Sequence, residues 1–207
     1  MPASVESMSS VPPREAILSL SDAGPRLNIC GRVVDDAALG PATAADNCAA
    51  GPSVSRGGVP PGNVFPVGTT TLSYTATDAV GLTATAFQTV TVVDDTPPVI
   101  GGASATPAVL WSPNHKMVDV AVDYAPTDNC GGPLAASLSI SSNEPVNGTG
   151  DGDTAPDWEI VDAHHVRLRA ERAGSGTGRV YTITISVTDT YGNTSVDAVT
   201  VTVPHNQ

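Results

Sequence analysis

Proline and glycine interrupt this chain so often that long helices are excluded. The 207 residues include 18 prolines and 20 glycines. Proline removes a backbone donor and glycine raises the entropic cost of ordering the backbone, so both disfavour a helix interior. Threonine and valine fill the intervals, and their branched side chains favour strands. The sequence therefore predicts an all-β protein.

Several segments alternate apolar and polar side chains with the two-residue period of a strand. The alternation is clear over residues 71–76, 118–124, 181–188 and 199–203. A strand with one dry face and one wet face is typical of an antiparallel sandwich. We therefore expect two tandem immunoglobulin-like antiparallel β-sandwiches.

A short proline-containing segment, Asp94 to Pro98, divides the chain. Two adjacent prolines fix an extended path and cannot donate to a sheet, which is typical of a short, stiff linker. We predict a flexible N-terminus over residues 1–14, one sandwich over 15–95 and a second over 96–205.

Two short motifs occur once in each half. Ala45–Cys48 is similar to Thr127–Cys130, and Ala76–Thr83 is similar to Val187–Thr194. The spacing between the motifs is longer in the second half, so the second sandwich is predicted to carry an insertion. Ala76–Thr83 and Val187–Thr194 each contain an aspartate (Asp78 or Asp189) and a glycine three residues later. This pattern favours a hairpin turn.

The charge balance excludes some partners. Nine basic residues oppose 21 acidic ones, for a net charge of −12. Nucleic acids and anionic membranes attract positive surfaces, so neither is an expected partner. No apolar run is long enough to cross a membrane, and residues 1–13 lack the pattern of a signal peptide. We expect a piece of a larger multidomain secreted or cell-surface protein.

The predicted insertion contains a cluster of oxygen-bearing side chains among glycines. Calcium is bound by six to eight oxygens from carboxylates, amides, carbonyls and water. Closely spaced carboxylates without a cation repel one another, so the cluster indicates a calcium site, with a solvated acidic turn as the alternative. The candidate ligands are Glu144, Asn147, Asp151, Asp153, Asp157 and Glu159.

Three further residues are weaker candidates. Asp94 and Asp95 precede the proline pair, where calcium would stiffen the junction, although ordinary linker polarity explains them too. Trp158 lies between two acids of the cluster. Its ring would either fill the core of a small sandwich or stack on a sugar near the ion.

Both halves resemble known extracellular modules. The first half resembles a hyalin repeat through Asp46–Cys48, Phe65–Thr71, Tyr74–Asp78 and Gly81. The second resembles an immunoglobulin-like module near the ends of large secreted bacterial proteins, through a larger set of segments: Leu110–Val118, Ser142–Pro145, Gly150–Trp158, Arg167–Arg172 and Gly178–Ile183. Hyalin repeats are adhesive or accessory modules, so the resemblance implies no catalytic residue.

The cysteines are odd in number. With three, at most one bridge forms within the chain. A hyalin repeat usually has a second cysteine where this chain has Ala86, so the family's usual bridge cannot form. We therefore expect Cys30 to pair with Cys48 and Cys130 to be a buried reduced residue, while three reduced cysteines remain the alternative.

These observations predict a non-catalytic, calcium-stabilised adhesion or spacer module whose partner is a surface protein or a polysaccharide. The alternative is a calcium-dependent carbohydrate-binding module of an extracellular polysaccharide-degrading enzyme, with Trp158 as its platform. An enzyme is disfavoured, because the clustered acids share a flexible loop with no apolar pocket to raise a carboxyl pKa.

Overall fold

The structure, a computed structural model, describes residues 16–19, 30–45, 51–146 and 155–206. Almost all of its regular structure is strand, with one α-helix, α1, at Asp36–Leu39 and a 3-10 helix at Pro61–Asn63. The strands, numbered in chain order, are β1 (Ala16–Ser19), β2 (Gly31–Val33), β3 (Ser53–Gly57), β4 (Val64–Pro66), β5 (Gly68–Thr77), β6 (Thr83–Val93), β7 (Val99–Thr106), β8 (Met117–Thr127), β9 (Ala135–Ser142), β10 (Trp158–Ile160), β11 (His165–Arg169), β12 (Gly178–Thr188) and β13 (Thr194–Pro204).

The chain divides into two compact units, Met1–Thr96 and Pro97–Gln207. The division falls one residue beyond the linker position predicted after Asp95. The predicted flexible segment, residues 1–14, lies outside the described residues. No helix in the described part of the chain is long and apolar enough to cross a membrane.

The first unit is a sandwich of a four-stranded sheet, in the order β1-β6-β5-β3, and a small sheet of β2 and β4. Both sheets contribute to one buried cluster. Phe65 of β4 packs there with Leu72 and Tyr74 of β5 and with Val90 and Val92 of β6. The apolar side chains of β5 therefore face the core, as the alternation of apolar and polar residues in its sequence predicts.

One pairing in this unit departs from the antiparallel expectation. β1 runs parallel to β6, with Ala16 opposite Val90, whereas β5 pairs with β6 antiparallel on the other side. Parallel neighbours need a long crossover. Because most of the first unit lies between β1 and β6 in sequence, such a crossover is available.

The second unit is a sandwich of two sheets, ordered β10-β11-β8-β7 and β13-β12-β9. Val120 of β8 and Leu168 of β11 share a buried core with Ile183 of β12 and Val201 of β13. Side chains from both sheets thus meet in one apolar layer, as in other sandwiches. The prediction of an all-β protein built from two sandwiches is confirmed.

The six candidate calcium ligands belong to the connection between β9 and β12, residues 143–177. The equivalent connection of the first unit, between β3 and β5, is much shorter and spans residues 58–67. The longer connection holds the hairpin of β10 and β11, which pairs with β8 through β11. Asp157 directly precedes this hairpin, and Glu159 lies in β10.

The two predicted aspartate turns are confirmed. Asp189 Oδ1 accepts hydrogen bonds from the backbone N–H groups of Tyr191 and Asn193, both at 2.8 Å. Asp78 Oδ1 accepts in the same way from the N–H groups of Val80 and Leu82, at 2.9 and 2.8 Å. These contacts join β5 to β6 and β12 to β13, so the same turn closes the hairpin of each unit.

We expect Asp189→Ala to lower the free energy of unfolding of the second unit by about 1–2 kcal/mol, because two N–H groups lose a charged acceptor. Burial raises the pKa of Asp189, but hydrogen bonds from Asn193, Tyr191 and Gly192 outweigh burial and lower it below its ordinary value. A lowered folded pKa gives stability that is present above the unfolded pKa and lost as pH falls through the folded pKa.

Urea unfolding at neutral pH and at about pH 3, below the ordinary aspartate pKa, measures both effects. Asp189→Asn is the matched variant, because its amide oxygen keeps an acceptor while the titrating group is gone. An acid dependence as steep in Asp189→Asn as in the unmodified protein would contradict the pH assignment.

Candidate functional site

A buried arginine organises the end of the second sandwich. The side chain of Arg179, in β12, is fully buried. Its Nη1 donates to Asp157 Oδ2 at 2.7 Å, to Glu171 Oε1 at 3.3 Å and to the Tyr181 hydroxyl at 3.0 Å. Its Nε lies 3.4 Å from Glu144 Oε2. We call these five residues the arginine cluster.

The strand pattern of β12 explains why Arg179 points inward. Tyr181, Ile183 and Ile185 follow at two-residue steps, and all of these side chains are buried. Successive side chains of a strand point to opposite faces, so Arg179 shares the core face with them. A buried guanidinium needs several acceptors, because its five donors are otherwise left unsatisfied.

The acceptors come from three other segments of the second unit. Glu144 follows the end of β9, Asp157 directly precedes β10, and Glu171 follows the end of β11. A further acceptor is the carbonyl oxygen of Pro145, at 2.9 Å from Arg179 Nη2. Arg179 therefore ties together the ends of β9, β10, β11 and β12.

A second arginine extends the network. Arg169 Nε and Nη2 donate to the carbonyl oxygen of Pro156 at 2.9 and 2.7 Å. Its Nη1 donates to the carbonyl oxygen of His115 at 2.8 Å, and the Tyr181 hydroxyl donates to the carbonyl oxygen of Arg169 at 2.8 Å. These bonds fix the segment just before β10 and the segment just before β8.

Burial and pairing set the protonation of the cluster. Burial raises the pKa of Glu171, and the Asp157 charge adds to this, whereas a hydrogen bond with His115 and the two arginines act in the opposite direction. Burial raises the pKa of Tyr181 to about 12 despite the opposing effect of Arg179. Burial alone would lower the pKa of Arg179, but Tyr181 and Asp157 raise it above its ordinary value. At neutral pH a charged guanidinium therefore meets a neutral phenol.

The structure gives the predicted calcium ligands other partners where it describes them. Glu144 and Asp157 belong to the arginine cluster, and Glu144 Oε2 also accepts from the N–H of Ala173 at 2.7 Å. Glu159 is exposed and lies 3.3 Å from Arg167 Nη1. Three acids that were expected to need a cation thus have arginine partners.

The remaining predicted ligands, Asn147, Asp151 and Asp153, lie outside the described residues. One acceptor of the set has no hydrogen-bond partner within the described part of the chain, the buried Oδ1 atom of Asp157. The calcium site therefore stays a prediction.

Trp158 contacts the core with its ring. The side chain is half-buried, packs against the core of the second unit, and meets Tyr181 edge-on, with ring centroids 6.2 Å apart and an interplanar angle of 83°. Such a contact is typical of a packed aromatic pair. Its role as a sugar platform stays a prediction.

The linker aspartates differ from each other. Asp94 is buried, and its Oδ1 accepts from the N–H of Thr96 at 3.1 Å, whereas Asp95 is exposed. The bond to Thr96 is a short-range turn contact of the kind aspartate commonly makes. A calcium ion at this position stays a prediction.

Both cysteines in the part of the chain that the structure describes, Cys30 and Cys130, are disulfide-bonded. The expectation that Cys130 is reduced is therefore wrong. A bridge between Cys30 and Cys48 would leave Cys130 reduced in a chain of three cysteines, so the structure does not support the predicted pair. Cys48 itself lies outside the described residues.

Sequence reasoning missed Arg179 and Glu171, the two residues at the centre of the cluster. A signal for Arg179 is present in the alternation of β12, where a basic residue stands in phase with the apolar positions. Such a residue on a dry face requires buried acidic partners. Which acids meet it depends on how three distant segments converge, and no local pattern contains that information.

Comparison with protein families finds a match within the first unit. The HYR domain family matches residues 37–92. This match supports the hyalin-repeat resemblance for the first half, while the resemblance of the second half to a bacterial module stays a prediction.

Several solved structures are similar to this chain. Human protocadherin-24 EC1-2 is 14% identical, with 94% of this chain and 95% of that chain covered and a TM-score of 0.37. The Clostridium thermocellum CbhA fibronectin(III)-like modules are 14% identical over 67% of this chain and 64% of that chain, with a TM-score of 0.33. Drosophila OTK extracellular domains 3-5 are 12% identical over 78% and 53%, with a TM-score of 0.30.

We expect Arg179→Met to lower the free energy of unfolding of the second unit by about 3–5 kcal/mol, because it leaves buried carboxylates without their cation. The matched control is Arg167→Met. Arg167 is exposed and pairs with Asp119 at 2.9 Å and with Glu159, so this change should have little effect.

Urea unfolding measures both variants. Adding Asp157→Asn and Glu171→Gln to Arg179→Met should restore part of the loss, because neutral side chains need no counter-charge. Equal effects of Arg179→Met and Arg167→Met would show that burial of the ion pair does not control stability.

Proposed function

We propose that this chain is a non-catalytic structural unit of a secreted or cell-surface protein, in which its two sandwiches act as a spacer or adhesion module. The observation that carries the proposal is that Glu144, Asp157 and Glu171 each form an ion pair with Arg179. A reactive acid must reach a substrate, whereas these carboxylates face a buried guanidinium.

The oxidised cysteines support a location outside the cytoplasm. Disulfides persist in oxidising compartments and are rare where thiols are kept reduced. Cys30 and Cys130 are both disulfide-bonded. The net charge of −12 also favours solubility and disfavours binding to polyanions. Both properties fit a protein exposed to the medium.

The similarity of residues 37–92 to the HYR domain supports the adhesion or spacer role for the first unit. The hyalin repeats that this segment resembles are adhesive or accessory modules. In the second unit, the arginine cluster ties the ends of four strands together. A closed, rigid end is a useful property in a module that must hold its neighbours apart.

A turnover assay tests the non-catalytic proposal. The purified chain is incubated with polysaccharides, peptides and simple esters, and products are measured by mass spectrometry. We expect no turnover above buffer, because the clustered acids are held by arginines. Hydrolysis that is lost in Glu171→Gln but kept in the exposed-site control Asp123→Asn would overturn the proposal.

Calcium binding by the connection between β9 and β12 is a second candidate property. The observation in its favour is Asp157 Oδ1, a buried acceptor that has no hydrogen-bond donor among the described residues. Asn147, Asp151 and Asp153 precede it in the sequence. Glu144 and Glu159 have arginine partners, whereas Asp157 keeps Oδ1 without a donor among the described residues. The ion would therefore be bound mainly by Asn147, Asp151, Asp153 and Asp157.

Calorimetry in EDTA and in millimolar calcium tests this candidate. An ion that binds only the folded protein raises Tm in proportion to the logarithm of its concentration above Kd. We expect a higher Tm in calcium, and no such rise in the double variant Asp151→Asn, Asp153→Asn. The control Asp123→Asn should keep the rise. An identical Tm in EDTA and in calcium would contradict calcium binding.

The carbohydrate-binding alternative depended on Trp158. Half-burial of its ring against Tyr181 disfavours a sugar platform at this position, because a platform must present an open face. The spacer or adhesion role is therefore the preferred proposal.

A further inference from the structure

On three strands of the larger sheet in the first unit, β3, β5 and β6, most of the outward-facing side chains bear a hydroxyl group. The strand registers place on one face the side chains that alternate with the buried apolar ones. We call this set the hydroxyl face: Ser53, Ser55 and Gly57 of β3, Thr69, Thr71, Ser73, Thr75 and Thr77 of β5, and Thr83, Thr85, Phe87, Thr89, Thr91 and Val93 of β6.

Phe87 is the one aromatic residue on the hydroxyl face, and its side chain is 65% exposed. Across the sheet it stands next to Ser73, which in turn stands next to Gly57. A Cβ on Gly57 would lie 2.8 Å from Ser73 Oγ. Side-chain size therefore decreases along this row, from the exposed Phe87 to Ser73 and then to Gly57, which has no side chain. We call this row the shelf.

Hydroxyl groups border this shelf and are already ordered. On one side, Thr75 Oγ1 and Thr85 Oγ1 are 3.3 Å apart, and Ser55 Oγ donates to the carbonyl oxygen of Thr75 at 3.4 Å. Further along, Thr69 Oγ1 and Thr91 Oγ1 are 3.2 Å apart. Each hydroxyl is a donor and a double acceptor, so these groups keep capacity for a further bond.

The hydroxyl face carries no charged side chain, although the chain has a net charge of −12. The charged residue on β3, Arg56, is opposite Tyr74 and lies over its ring on the inner side of the sheet. An uncharged face selects an uncharged partner, because a charged one would lose its hydration without gaining a counter-charge.

We propose that the hydroxyl face binds a neutral polysaccharide, with one sugar ring stacked against Phe87 above Ser73 and Gly57. The face of an aromatic ring is negative, and the C–H groups of a pyranose are weakly positive, so the two surfaces attract each other. The flanking threonines and Ser55 exchange hydrogen bonds with the sugar hydroxyls. This activity goes beyond a spacer role, which needs no ligand.

Affinity electrophoresis tests the proposal. The full chain is run through gels that contain a neutral polymer (hydroxyethyl cellulose, β-1,3-glucan, mannan or starch) or the acidic polymer alginate. We expect retardation by at least one neutral polymer and none by alginate. Phe87→Ala should weaken retention about tenfold or more, because it removes most of the apolar contact area. Phe87→Trp should keep it.

Two control variants test whether polysaccharide retention depends on Phe87 and not on other aromatic residues. Trp111→Ala removes a half-exposed aromatic side chain of the second unit, and Trp158→Ala removes the half-buried ring that meets Tyr181. Neither should change retention. Because Phe87 is exposed, Phe87→Ala should leave Tm unchanged, which separates lost binding from lost folding.

Several results would overturn the proposal. These are retention by no neutral polymer, equal retention of the unmodified chain and Phe87→Ala, and loss of retention in either tryptophan variant.

Light scattering tests whether a second copy of the chain binds the hydroxyl face instead of a polysaccharide. A dimer that dissociates in Phe87→Ala would assign the face to self-association instead. Absence of polysaccharide binding would leave the spacer proposal standing, so the two can fail separately.

Discussion

The buried ion pairs of Arg179 determine how the second sandwich ends. Asp157 and Glu171, like the guanidinium, have side chains without exposure to solvent. Removing such charges from water is costly, and close pairing with additional hydrogen bonds is needed to offset that cost. The connections after β9 and β11 and the segment before β10 must therefore meet at one point. The longer connection of this unit is shaped by that requirement.

The described core cluster of the first unit consists of apolar and aromatic side chains. Phe65 of β4 fills the space between its two sheets and is fully buried. Its connection between β3 and β5 is short, and apolar contact is enough to hold it. The two units thus share a hairpin with the same aspartate turn, yet they complete the sandwich by apolar packing in one case and by ion pairing in the other.

The parts of the structure that follow from neighbouring residues could be predicted from the sequence. The strands around residues 72–76 and 181–187 follow from their alternation, and the turns at Asp78 and Asp189 follow from an aspartate placed before a glycine. The parallel pairing of β1 could not be predicted, because it depends on a crossover through most of the first unit. The partners of Asp157 could not be predicted either, because Arg179 approaches it only through the fold.

The arginine cluster also constrains how the sequence can change over time. Replacement of Arg179, Asp157 or Glu171 alone leaves a charge in the interior without its partner, whereas joint replacement by apolar or neutral residues of similar volume can be tolerated. These positions should therefore vary together among descendants of one ancestor, while Arg167 on the surface varies freely. Buried charge thus links the evolutionary fate of residues that lie on different segments of the chain.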